Sequence, residues 1–192
     1  VVSGLPRSGT SMIMQMLAAG GVSLISDGAR AADADNPRGY FEHQGAKSLH
    51  RDAGWLAEAE GRALKVVAQL LPALPADRPI RVLFMERPLD EVVASQQAML
   101  ERSGRDGGRL EAGRLARGYL KQVAAVRRLL EQHADRLCCL SVPYHEALAA
   151  PAELAARVNA FLGGGLDEAA MAAAVEPALR RQGAFDRAGR QH

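Results

Sequence analysis

Cysteine is almost missing from this chain: Cys138 and Cys139 are the only two, and they are neighbours. No disulfide framework can be built from them, so nothing in the sequence calls for an oxidising compartment. They sit in a stretch that reads as a strand, where adjacent side chains point to opposite faces, and both thiols are expected to be buried. Aromatic residues make up only 4% of the chain and the net charge is +2. A nucleic-acid surface built from basic patches and stacking rings is therefore not indicated. No apolar run is long enough to span a bilayer, and no signal peptide is visible. Cytoplasm is the default location; the chain opens inside a strand without an initiator Met, which leaves open whether a targeting segment precedes Val1.

What is present fits a single domain across residues 1–192, with 48% hydrophobic and 24% charged residues, enough for a full core. Short apolar runs alternate with helical patterns. Residues 1–4, Ala63 to Ala68, Ile80 to Met85 and Arg136 to Val142 read as strands. Helices are expected over Thr10 to Ala19, from Tyr40 through His50 towards Trp55, from Pro88 to Arg102, over Leu110 to His133, over Pro151 to Leu162 and over Leu166 to Leu179. The alternation predicts a three-layer α/β/α domain around a central parallel sheet, with ligands outside the carboxyl ends of the strands.

The most informative stretch is the first. Gly4-Leu5-Pro6-Arg7-Ser8-Gly9-Thr10-Ser11 joins the end of a strand to the start of a helix. Glycines allow a tight backbone turn and close approach, and the first N–H groups of the helix point back into the loop. Phosphate or sulfate suits such a cradle. The spacing is that of the phosphate-binding P-loop, except that Thr10 stands where nucleotide hydrolases carry Lys. The cation is Arg7, inside the loop, where a planar guanidinium can hold two oxygens of one anion.

This string resembles the 5′-phosphosulfate loop of the sulfotransferases, which use 3′-phosphoadenosine 5′-phosphosulfate. A second string, Arg87-Pro88-Leu89-Asp90-Glu91-Val92-Val93-Ala94-Ser95, is similar to the segment with which that family holds the donor's 3′-phosphate. The resemblance implies that Arg7, Ser8, Gly9, Thr10 and Ser11 bind the phosphosulfate and Arg87 and Ser95 the 3′-phosphate. It also implies that no metal is required. Arg180 and Arg181 are similar to a late Arg- and Gly-bearing loop of the family; a basic helix end capped by Gly183 explains them equally well. Arg7 stands where many members have Lys, and the chain is shorter than typical members.

The acceptor, a small molecule, glycan or peptide hydroxyl or amine, must lose a proton. Candidates for the base are Glu42, His43, His50 and Asp27. Asn36 to Glu42 looks like a segment of bacterial sulfotransferase-like proteins, which puts Glu42 first and His50 second; a helix-dipole role for Glu42 stands beside it. Lys65 reads either as a structural lysine or as a cation for the leaving phosphate. Two other functions stay open: a P-loop kinase or NTPase with an atypical loop, and a catalytically silent nucleotide-binding relative. Oligomeric state is not readable.

Overall fold

The computed structural model describes residues 1–28, 39–75, 77–102 and 112–175. Five strands form one all-parallel sheet: β1 (Val2–Gly4), β2 (Leu24–Ile25), β3 (Ala63–Val67), β4 (Ile80–Glu86) and β5 (Leu137–Pro143). Their order is β2-β3-β1-β4-β5, with Gly4 of β1 level with Val67 on one side and Met85 on the other. The helices are α1 (Thr10–Ala19), α2 (Gln44–Lys47), α3 (Leu89–Arg102), α4 (Ala112–Gln132), α5 (Tyr144–Ala149), α6 (Pro151–Leu162) and α7 (Glu168–Ala173). Two 3-10 segments, Gly54–Ala59 and Ala68–Ala73, flank β3.

Strand alternation divides the core in two. Along β4, Val82 and Phe84 enter one apolar cluster and Leu83 and Met85 the other. The first cluster is closed by Val92 and Val93 of α3, Tyr119 and Val126 of α4, and Leu56 and Leu71 of the 3-10 segments. Ile13, Met14, Met16 and Leu17 of α1 close the second, together with Ala147, Leu154, Val158 and Met171 of α5 to α7. Helices on both faces of a parallel sheet make the three-layer α/β/α architecture that the alternating pattern predicts.

The termini of several elements follow their capping chemistry. α6 starts on Pro151 at its first position and stops at Gly163, whose φ of 106° is left-handed. α3 begins one residue later than expected: Pro88 contributes its carbonyl, which accepts from Val92 N at 3.1 Å, and so caps the helix. β2 was not foreseen, because two residues are too few to show a period. α5 was not foreseen either. α7 covers the first part of the expected 166–179 helix; residues beyond 175 lie outside those described.

The helix expected from Tyr40 towards Trp55 is not formed. Phe41 has a φ of 51° and His43 is extended, with its Nδ1 accepting from Gly45 N at 3.2 Å, so α2 starts only at Gln44 and lasts one turn. Asp52 Oδ1 accepts from Gly54 N at 2.9 Å, another local bond that competes with helix continuation.

The cysteines also depart from expectation. Among the described residues β5 pairs only with β4 and is the sheet's edge, and both Cys138 and Cys139 are exposed. Local desolvation, helped by the Glu86 carboxylate and Cys138, still pushes the Cys139 thiol up to about 11. Thiolate is the reactive form. At pH 8, a Cys138→Ser variant should therefore react with a disulfide dye at least tenfold more slowly than an unstructured thiol, a rate readable by absorbance.

Among the described residues no helix is long and apolar enough to cross a membrane.

Candidate anion site at the sheet switch point

From β1 the chain builds β2 and β3 on one side, then returns to build β4 and β5 on the other. The direction reverses between β1 and β4, which opens a crevice outside their carboxyl ends. The 5–9 loop rises from β1 at this point, and Arg87 follows β4 directly beside it. The two motifs singled out in the sequence therefore share one rim.

Close packing explains the glycines of the loop. A Cβ on Gly4 would lie 2.5 Å from Ser8 Oγ and 2.9 Å from the Met85 carbonyl oxygen. Gly9 has a φ of 102°, and a Cβ there would meet the Tyr144 ring at 2.9 Å. Gly9→Ala is accordingly expected to cost roughly 1–3 kcal/mol, measurable by urea denaturation. Arg7 itself is left-handed, with a φ of 69°, a conformation a long side chain adopts at some cost.

The start of α1 suits an anion. Gly9 caps it without a side-chain hydrogen bond, and no acidic residue stands in its first turn. Its leading N–H groups and the positive end of the helix dipole are thus not countered by a carboxylate of that turn. Ser8 Oγ is buried and, among the described residues, has no hydrogen-bond partner, a costly arrangement that an anionic oxygen in the loop would relieve. Thr10 is buried beside it, and Ser11 Oγ accepts from Lys65 Nζ at 3.1 Å.

On β3, Lys65 alternates with Leu64 and Val66, which enter the first cluster, so its side chain lies on the α1 face with Ala63 and meets the first turn of α1 at Ser11. Its ammonium also donates to the Tyr40 carbonyl at 2.9 Å. An ammonium from the neighbouring strand thus stands beside the second residue of α1. The same contact ties the segment carrying Glu42 to the loop.

Arg87 and Ser95 both reach the site, but with different partners. Ser95 Oγ, 6% exposed as a residue, accepts from Arg7 Nε at 3.1 Å. Arg87 instead donates from Nε to Glu91 Oε2 at 2.9 Å and from Nη1 to the Arg7 carbonyl at 3.1 Å. Its guanidinium stacks on the Tyr144 ring, 4.4 Å from the centroid, and the Arg87 and Glu91 side chains are only 7% and 6% exposed. His145 Nε2 approaches the other oxygen, Glu91 Oε1, at 3.0 Å. These contacts link the loop, the end of β4, α3 and the start of α5.

Of the base candidates, Glu42 pairs with Lys47 at 3.2 Å and its side chain is 25% exposed. His50 is exposed, and among the described residues no hydrogen bond or ion pair ties it to the loop. His43 is tilted against Trp55, with ring centroids 4.4 Å apart, and Asp27 Oδ2 accepts from Gln44 N at 2.6 Å. Arg180 and Arg181 lie outside the described residues. Among the described residues no three His, Cys, Asp or Glu side chains gather in a way that could hold a metal ion.

The sequence offers Glu91 only as an acid of the first helical turn on the face of Ser95, His145 only as a surface residue, and Tyr144 not at all. The pairing of Glu91 with Arg87 has a partial signal, since Glu91 stands four residues after Arg87, which lies just before α3. Tyr144 and His145 follow β5 and so fall on the same rim, a placement that depends on strand order. No known family model matches the chain, and no characterised protein sequence matches it.

Proposed function

We propose that the chain is a sulfotransferase that moves a sulfuryl group from 3′-phosphoadenosine 5′-phosphosulfate to an acceptor hydroxyl or amine without a metal. The observation that carries this reading is the convergence at one crevice of a glycine-bounded loop bearing Arg7, the N-terminus of α1, and Arg87 and Ser95 from the next motif. Two arginines and a helix dipole favour a ligand with two anionic groups over a neutral one.

In this reading Arg7, Ser8, Gly9, Thr10 and Ser11 hold the phosphosulfate and Lys65 offsets charge on the leaving 5′-phosphate. Ser95 Oγ accepts from Arg7 and keeps a hydroxyl hydrogen to donate to the 3′-phosphate beside Arg87. The acceptor's oxygen or nitrogen bonds to sulfur as the bond from sulfur to the phosphate oxygen breaks, and that electron pair leaves with 3′-phosphoadenosine 5′-phosphate. Glu42 takes the acceptor's proton, with His50 as the second candidate. The SO₃ group in transit carries less charge than a phosphoryl group, so fixed N–H groups and side-chain cations suffice. The acceptor is a small molecule, glycan or peptide, and the setting is the cytoplasm.

A kinase or NTPase reading would want an acid at a strand end facing the loop hydroxyls to help hold Mg²⁺. Glu86 ends β4, but it follows Val82 and Phe84 onto the opposite face and pairs with Arg127 of α4 at 3.1 Å. That placement favours sulfuryl transfer. The test is transfer of ³⁵S from the donor to a broad acceptor panel, with Glu42→Ala lowering the rate about 10²–10⁴-fold. Metal-dependent phosphate release from ATP with no ³⁵S transfer would contradict the reading; donor binding without transfer would point to a silent relative.

A further inference from the structure

Glu91 is an unexpected group to find beside an anion site. It is 5% exposed, and its carboxylate is shared by Arg87 and His145 at 2.9 Å and 3.0 Å. On Coulombic grounds alone, a buried carboxylate next to an arginine that is to meet a phosphate should weaken binding. Burying it is also expensive unless its partners are well placed. What it provides instead is geometry. One oxygen fixes the Arg87 guanidinium through Nε, with Nη1 reaching the Arg7 carbonyl and Cζ over the Tyr144 ring. The other oxygen takes His145, so the start of α5, and with it the Tyr144 ring against Gly9, is tied to the same point.

We infer that Glu91 is a positioning residue for the anion site: it holds Arg87 and the 5–9 loop in the geometry that receives a phosphate-bearing ligand. His145 serves as the second anchor of the same carboxylate. This rests on the sulfotransferase reading for the identity of the ligand. It extends that reading by assigning a role to two residues outside the motif positions.

Charge and position predict opposite signs, and that makes the inference testable. Titration of 3′-phosphoadenosine 5′-phosphate into the full chain, followed by calorimetry at fixed salt, should give an affinity at least tenfold weaker for Glu91→Ala, although that variant removes a negative charge from the site. Glu91→Gln should restore the affinity to within about threefold of the parent chain. Its amide oxygen can still accept from Arg87, and its NH₂ can donate to a neutral His145. Equal or tighter binding by Glu91→Ala, with the parent chain binding normally, overturns the inference and leaves the sulfotransferase reading standing. Absence of binding to the parent chain overturns both. Should Glu91→Ala fail to fold, His145→Ala carries the test, since that side chain is 40% exposed and its removal leaves the Arg87 pair in place. An affinity about threefold or more weaker supports the role of the anchor, and an unchanged affinity overturns it.

Discussion

Arg7→Ala is expected to lower kcat/KM for sulfuryl transfer by about 10²–10³-fold, the loss typical of removing one pre-placed donor from a charge-stabilising site. The guanidinium is held over α3 by Ser95 and its backbone is held by Arg87, so it meets the ligand without first being ordered. Arg7→Lys should recover only part of the loss, because an ammonium is a point charge and cannot grip two oxygens in one plane. Stability is expected to move the other way. Arg7 has a φ of 69°, a region that glycine occupies without penalty, so Arg7→Gly should gain up to about 1 kcal/mol while losing the same activity. Urea denaturation and steady-state rates on Arg7→Ala and Arg7→Gly separate these effects. An inactive chain that is more stable would identify the strained backbone as a cost carried for function.

Arg87→Ala is expected to be the most destabilising single change at the site, by about 3–5 kcal/mol, because it removes a buried counter-charge from the Glu91 carboxylate. Part of the loss comes from the loop, whose Arg7 carbonyl is braced by Arg87, and part from the Tyr144 ring on which the guanidinium lies. Removing both members of the pair should be gentler. Arg87→Met with Glu91→Met fills similar volume with no charge to bury, and should recover much of the lost stability without recovering ligand binding. A double variant as unstable as Arg87→Ala would mean that the brace on the loop, and not the buried charge, sets the cost.

The layers of the fold were legible because each relied on a local signal. Ile80 to Met85 alternates between two cores, Pro151 and Gly163 bound α6, and the Gly4 to Ser11 string announces a strand, a turn and a helix. The segment from Tyr40 to Trp55 misled because its apolar spacing suits a helix, while His43, Ser48 and Asp52 bond to the nearby backbone instead. The two cysteines misled for a different reason. Whether a strand's thiols are buried depends on its place in the sheet, and β5 lies at the edge. Strand order also decides which residues meet at the rim. Arg7 and Ser95 are 88 positions apart and Arg87 reaches Arg7 across 80. Their spacing within each motif was readable, but the exchange of partners, Arg7 with Ser95 and Arg87 with Glu91, arises only once β4 is laid beside β1.

Ligand identity is read most directly from thermal stability with 3′-phosphoadenosine 5′-phosphate, adenosine 5′-phosphate and Mg-ATP, each with and without a chelator. A ligand that binds only the folded chain at a hundred times its Kd stabilises it by about 2.7 kcal/mol. The account predicts a clear rise in Tm with 3′-phosphoadenosine 5′-phosphate, a much smaller one with the compound lacking the 3′-phosphate, and no effect of the chelator on the first. A rise with Mg-ATP that disappears on chelation, with none from 3′-phosphoadenosine 5′-phosphate, would contradict it.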